Sequence, residues 1–170
     1  LPIIDHWWQT ELGWPALATC MGLGDTRRLA GSAGFPVPGF QFAILDEGGN
    51  VLPNGETGAV TIKLPMAPGA YMTLWNNPDG YAKSFATFPG YYETGDAGMI
   101  DADGFVHVMG RTDDIINVAG HRLSTGQMEQ IVATHPAVAE CAVIGADDAL
   151  KGMIPMGFVV LKAGQAEGQA

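Results

Sequence analysis

Positive charge is what this sequence has least of. Lys and Arg number 8 against 18 Asp and Glu, for a net charge of -10, so no basic stripe is available to track a polyanion and nucleic acid is excluded as an expected partner. Cysteine is nearly absent. Cys20 and Cys141 lie far apart, with neither metal-ligand spacing nor the clustered, even count of a disulfide framework, and are expected to be small apolar residues in a reducing compartment. No apolar stretch approaches the length of a membrane span, and no basic segment followed by an apolar run marks a secretory leader. The expected setting is the cytoplasm, or the mitochondrial matrix in a eukaryote, with no membrane partner. Glycine is plentiful, at 24 residues with 11 Pro, and hydrophobic content is 47%, which suits a loop-rich globular protein able to bury a core.

Periodicity divides the chain into two textures. Phe40, Phe42 and Ile44 alternate before Glu47-Gly48-Gly49-Asn50 and are answered by Val51 and Leu52, a hairpin pattern. Ala59 to Leu64 is a β-rich run stopped by Pro65. Met99 and Ile100, then Phe105 to Met109, flank Asp101-Ala102-Asp103-Gly104, where Asp-Gly is a strong hairpin signal. Phe88 to Tyr92 reads as an aromatic strand leading toward Asp96. After Arg111 a short hairpin is predicted from Ile115, Ile116 and Val118, a turn at Gly120, and Leu123. Ser124 and Gln127 have capping-box spacing, and Met128, Ile131, Val132 and His135 follow at helical spacing. That predicts an amphipathic helix ending at Pro136, with His135 packed on its apolar face. Cys141 to Ile144 and Gly157 to Leu161 read as strands. The fold class expected is α+β, an antiparallel β-unit followed by a small α+β unit, with the border at Asp113.

Three glycine-punctuated segments carry the chemistry: Tyr92-Glu93-Thr94-Gly95-Asp96, Gly110-Arg111-Thr112-Asp113-Asp114 and Gly120-His121-Arg122. A carboxylate accepts from two vicinal ribose hydroxyls, and an arginine presents a planar fork of donors that matches phosphate or ribose oxygens. Any one of these segments alone is ordinary turn chemistry. Together they suit a nucleotide, ATP first, whose binding needs only a few local donors and a metal ion and so is compatible with an acidic chain.

In this order, and with Asp5-His6-Trp7-Trp8-Gln9-Thr10-Glu11 ahead of them, the segments resemble the signature of the adenylate-forming superfamily of acyl-CoA synthetases, luciferases and peptide synthetase adenylation domains. The leading segment resembles the adenine and acyl-substrate motif of short-chain acyl-CoA synthetases, so the paired tryptophans are expected to serve the site rather than packing. The resemblance covers residues 5 to about 162. It implies that residues 1–112 are the C-terminal part of a large AMP-binding domain, including a small antiparallel β-barrel-like subdomain. Residues 113–170 would then begin a mobile C-terminal domain that swings on a hinge at Asp113. The chain is expected to be an internal piece of a longer enzyme, its missing partner being the N-terminal part of that enzyme. The family's phosphate loop ending in Pro-Lys and its adenylation lysine in a Ser-Gly-Lys context are not in this sequence, so the piece alone is expected to be inactive.

By the same resemblance a small carboxylic acid is converted with ATP, CoA and Mg2+ to an acyl-adenylate and then an acyl-CoA. Asp5, His6, Trp7, Trp8, Gln9 and Thr10 would line the adenine and α-phosphate region, Glu11 would hold Mg2+, and Asp96 with Arg111 would hold the ribose. Arg122 would reach the phosphates, Trp8 would cap the acyl pocket, and Ala119 would lie near CoA where acetyl-CoA synthetases have serine. A structural cation would map to the carbonyls of Ala133, His135 and Val138. Leu12 stands where the acetyl type usually has Thr, and Gly13-Trp14-Pro15, Leu64 to Gly69 and Asp148 to Gly152 are similar to propionyl-CoA synthetases. Propionate is the first expectation and acetate the second. A non-catalytic nucleotide-binding or interaction module is the alternative from another class.

Overall fold

The computed structural model describes residues 3–119 and 121–165, with the side chains of Asp113, His121 and Arg122 outside the described set. The chain forms two compact units, one through Met109 and one from Gly110 onward. The class is mixed α+β, built mostly of antiparallel sheets, as expected. Among the described residues, no helix is long and apolar enough to cross a membrane.

The first unit begins with three two-residue strands, β1 (His6–Trp7), β2 (Leu17–Ala18) and β3 (Phe35–Pro36), paired antiparallel in that order. It continues with β4 (Phe42–Leu45), β5 (Gly58–Lys63), a short helix α1 (Pro78–Lys83), β6 (Tyr91–Ile100) and β7 (Val106–Arg111), whose last two residues open the second unit. The last four strands make one sheet in sequence order, open rather than closed into a barrel. The Asp101–Gly104 turn forms as predicted. Asp101 accepts from the amides of Asp103 and Phe105 on Oδ1 at 3.0 and 2.9 Å, and Gly104 turns with φ 87°. Gly98 lets β6 and β7 approach, because a Cβ there would run into the His107 carbonyl. At Glu47 to Asn50 the chain turns back as expected, but only as far as a bridge between Leu45 and Val51, and the full partner of β4 is β5.

Helix α1 has no counterpart in the periodicity. Its start is nevertheless written in Asn77-Pro78, where the Asn77 side chain accepts from the Gly80 amide at 2.9 Å and Pro78 occupies the first turn, whose amides have no intrahelical partner to lose. The core of this unit gathers Leu12, Phe40, Ile62, Tyr71 and Tyr92 in one cluster and Leu17, Ala33 and Val106 in another, with Trp7 and Phe42 packed against both. Leu12 is fully buried there.

The second unit contains β8 (Ile115–Val118), β9 (His121–Ser124), helix α2 (Thr125–Ala133), β10 (Val138–Asp148) and β11 (Gly152–Leu161). Its sheet order is β10-β11-β8-β9. Val118 pairs with His121, and Ala119 in the intervening loop takes φ 49°. Ser124 caps α2 by accepting from the Gln127 amide, as the spacing predicts. The predicted apolar stripe of this helix is corrected: Ile131 is 72% exposed, and His135 lies exposed beyond the last helical residue. Only Met128 and Val132 of the four are half-buried. β10 and β11 form one long hairpin whose interior accepts Pro155 opposite Gly145. Among the described residues the ladder register of β11 with β8 is at Gly152 and Val118, so Pro155 lies beyond that paired position.

Candidate functional site

The Thr-Gly-Asp of the central motif is a break in a strand. Ala59 pairs with Ala97 and Thr61 with Glu93, so two steps along β5 are matched by four along β6, and the surplus residues are accommodated around Thr94, Gly95 and Asp96. Each does a separate job. The Thr94 hydroxyl donates to the Val60 carbonyl at 2.6 Å and accepts from the Asp96 amide at 3.1 Å, which satisfies backbone groups that the interrupted ladder leaves over. Gly95 takes φ 74°, a left-handed conformation that costs glycine little. Asp96 is thereby re-aimed, the usual consequence of a bulge, and is 7% exposed.

A buried carboxylate needs donors, and the run from His6 to Gln9 supplies them. In extended backbone, side chains alternate between faces, so Trp7 and Gln9 point one way while His6 and Trp8 point the other. Trp7 Nε1 donates to Asp96 Oδ2 at 3.1 Å, and Gln9 Nε2 donates to the same oxygen at 3.2 Å. Gln9 Nε2 also donates to the Thr94 carbonyl at 2.7 Å, and Gln9 Oε1 accepts from the Tyr92 hydroxyl at 2.9 Å. Its amide is thus aimed from both ends. The Trp7 ring stands edge-on to Phe42 at 5.7 Å, so this tryptophan serves packing as well as the carboxylate. The indole of Trp8, by contrast, is 53% exposed. Tyr92 and Thr94 belong to the motif named from the sequence, but no role of their own is assigned to them there.

The turn Thr10–Leu12 carries the next two candidates. Thr10 and Glu11 are exposed and line a cleft of about 310 Å³ with Gly13, Gly69, Tyr71, Met72, Thr73 and Leu74. The Glu11 carbonyl anchors the far wall by accepting from the Tyr71 amide at 2.7 Å. Among the described residues no group of three His, Cys, Asp or Glu could hold a metal ion. A single exposed carboxylate nevertheless fits Mg2+ that takes its remaining oxygens from substrate phosphates and water. Asp5 and His6 are exposed, and Asp5 Oδ1 accepts from the His6 amide at 2.9 Å. Arg111 is exposed at the end of β7. Ala119 is exposed, with its amide donating to the Lys151 carbonyl at 2.9 Å. Arg122 pairs by its backbone with Asn117, and Asp113 lies in a 3-10 turn, Thr112–Asp114. Their side chains lie outside the described set.

In the turn to which the cation carbonyls map, two carbonyls already have donors. The His135 carbonyl accepts from the Val138 amide at 3.0 Å, and the neighbouring Pro136 carbonyl already holds the Lys162 ammonium at 2.8 Å.

Comparison with known proteins gives these features a family. The AMP-binding enzyme family matches residues 1–72, and the AMP-binding enzyme C-terminal domain matches residues 127–169. The chain therefore carries stretches of both domains of the AMP-binding enzymes. Within that class its relatives are short-chain acyl-CoA synthetases. Mouse mitochondrial acyl-CoA synthetase short-chain family member 3 is 48% identical over 95% of this chain and 24% of its own length. Acetyl-coenzyme A synthetase of Pyrobaculum arsenaticum is 44% identical over 93% of this chain and 24% of its own. Among solved structures, o-succinylbenzoate CoA synthetase from Bacillus subtilis, in complex with its acyl-adenylate intermediate, superimposes with a TM-score of 0.76 at 28% identity, covering 97% of this chain and 32% of that one. The chain thus spans about a quarter of the length of these curated relatives.

Proposed function

We propose that this chain supplies the ribose-holding carboxylate and the adjoining nucleotide loops of an ATP-dependent acid–CoA ligase acting on propionate, with acetate the second substrate. The observation that carries the reading is Asp96 itself. It is a buried carboxylate in an interrupted strand, with Trp7 and Gln9 both donating to Oδ2, a construction that fixes the acceptor's direction before any ligand arrives. Asp96 accepts the ribose hydroxyls, and Trp7 and Gln9 act on the nucleotide through it rather than by touching it. Thr10 donates its hydroxyl to a phosphate oxygen, and Asp5 and His6 border the adenine. Arg111 and Arg122 supply cationic forks, and Trp8 limits the acyl pocket.

Glu11 holds Mg2+, which when bound offsets phosphate charge. In the first half-reaction a carboxylate oxygen attacks the α-phosphorus of ATP and pyrophosphate departs. In the second, the CoA sulfur attacks the acyl carbon and AMP departs. No residue of the chain need become covalently modified, so its contribution is placement and charge stabilisation. The unit beginning near Asp113 moves between the two steps, bringing Ala119 and its hairpin toward CoA.

Acetate stays in view because an acetyl-coenzyme A synthetase is among the relatives. The test is made on the whole enzyme that contains this chain, by pyrophosphate exchange and acyl-CoA formation with acetate, propionate, butyrate and valerate. Propionate should be preferred, and Trp8→Gly should move preference toward the longer acids, at about 1 to 3 kcal/mol per methylene accommodated. No carboxylate-dependent exchange would overturn the activity, and unchanged relative rates in Trp8→Gly would remove that indole from the pocket.

A further inference from the structure

Helix α2 ends at Ala133, and the chain turns through Thr134 to Ala137 into β10. A helix C-terminus presents carbonyl oxygens and the negative end of the dipole, so it favours a cation and needs donors. Here the donors can be followed one by one. The amide and hydroxyl of Thr134 both donate to the Ile131 carbonyl, at 3.1 and 2.6 Å. The His135 amide donates to Val132 and the Val138 amide to His135, at 3.1 and 3.0 Å. Two further contacts come from Lys162, just past the end of β11. Its amide donates to the Ala137 carbonyl at 2.9 Å, and its ammonium donates to the Pro136 carbonyl at 2.8 Å.

We propose that the Lys162 ammonium is the resident cation of this turn, and that the turn takes no metal ion. Three observations lead there. The segment Ala133-Thr134-His135-Pro136-Ala137-Val138 contains no acidic side chain, so from within the segment a second positive charge beside the ammonium would meet only neutral carbonyls. The imidazole is turned to the backbone as an acceptor, Nδ1 taking the Ala137 amide at 3.3 Å. Finally, the main-chain and side-chain groups of one residue grip adjacent carbonyls, so the ammonium is delivered by a backbone already fixed, which lowers the ordering cost of a long flexible side chain. Lys162 thereby ties the exit of α2 to the end of β11 without a diffusible ion.

The test is amide hydrogen exchange of the 170-residue chain, read at Val138 and at residue 162, with KCl or MgCl2 compared with tetramethylammonium chloride at equal ionic strength. Wild-type protection should be indifferent to the cation. Lys162→Met should exchange about three- to five-fold faster at these amides, the scale of a cation at a helix C-terminus, and Lys162→Arg, which can still donate to Pro136, should retain protection. A saturable gain of protection in the wild type with K+ or Mg2+ would overturn the proposal, as would unchanged exchange in Lys162→Met. The wild-type titration decides the matter even where a variant fails to fold.

Discussion

Gln9→Glu is nearly isosteric and inverts one group only. The variant can still accept from the Tyr92 hydroxyl, but an oxygen replaces Nε2 and faces Asp96 Oδ2 at 3.2 Å and the Thr94 carbonyl at 2.7 Å. Two carboxylates at that separation repel by about 5 kcal/mol at an effective dielectric constant near 20. The fold can escape by taking up one proton between them, which near pH 7 costs about 4 kcal/mol for a group whose ordinary value is close to 4. The expected loss of stability is therefore on the order of 4 kcal/mol near pH 7 and about 5 kcal/mol near pH 8. The shared proton raises the pair's affinity for it in the folded state, so the folded variant holds more protons than the unfolded chain, and its deficit relative to wild type shrinks as pH falls toward about 5. Gln9→Leu, which deletes the donors without adding charge, should lose about 2 to 3 kcal/mol with no such slope. Urea unfolding followed by tryptophan fluorescence across this range measures both. A Gln9→Glu deficit that is constant with pH, or smaller than that of Gln9→Leu at the alkaline end, would refute the bracket around Asp96.

Gly95→Ala should cost about 1 to 2 kcal/mol, because φ 74° is a left-handed conformation that alanine resists; an unchanged urea midpoint would contradict the strained bulge. The carboxyl of Asp101 is held below the usual range first by its hydrogen bond to His107 and further by the Phe105 and Asp103 amides, with burial opposing. A depressed folded value gives a contribution present above the ordinary aspartate range and lost as pH falls through the lowered value. His107→Gln should raise the Asp101 midpoint in a carboxyl-carbon NMR titration, and a midpoint that stays put would sink that attribution. In the whole enzyme, Asp113→Pro should fix φ near the proline value, leaving pyrophosphate exchange largely intact while acyl-CoA formation collapses; equal losses in both would dismiss Asp113 as the hinge.

What the sequence made legible was local. The Asp101–Gly104 turn, the β8–β9 hairpin and the Ser124 cap each depend on residues within a few positions of one another, and each is found where the pattern puts it. Helix α1 escaped because its six residues include Gly80 and form no apolar stripe, although Asn77-Pro78 announced it. The amphipathic reading of α2 misplaced Ile131, which lies within the helix but on its exposed side, and His135, which lies beyond the helix end at Ala133. Asp96 was legible as a carboxylate in a glycine-bearing motif. Its setting was not, since the register change opposite Ala59 and Thr61 and the reach of Gln9 across more than eighty positions are tertiary facts. Gln9 was read as a ligand contact. A half-buried amide must find partners, and here three lie within the protein.

The placement of Trp7 has a further consequence. Its ring lies against both apolar clusters of the first unit while its indole nitrogen grips Asp96, so a drift in packing at Leu17, Ala33 or Val106 is passed to the carboxylate through a single rigid plane. Packing of the interior and placement of the carboxylate therefore share one side chain and are not set independently. Under the proposed function, a substitution that softens or stiffens the interior would retune nucleotide affinity in the same stroke.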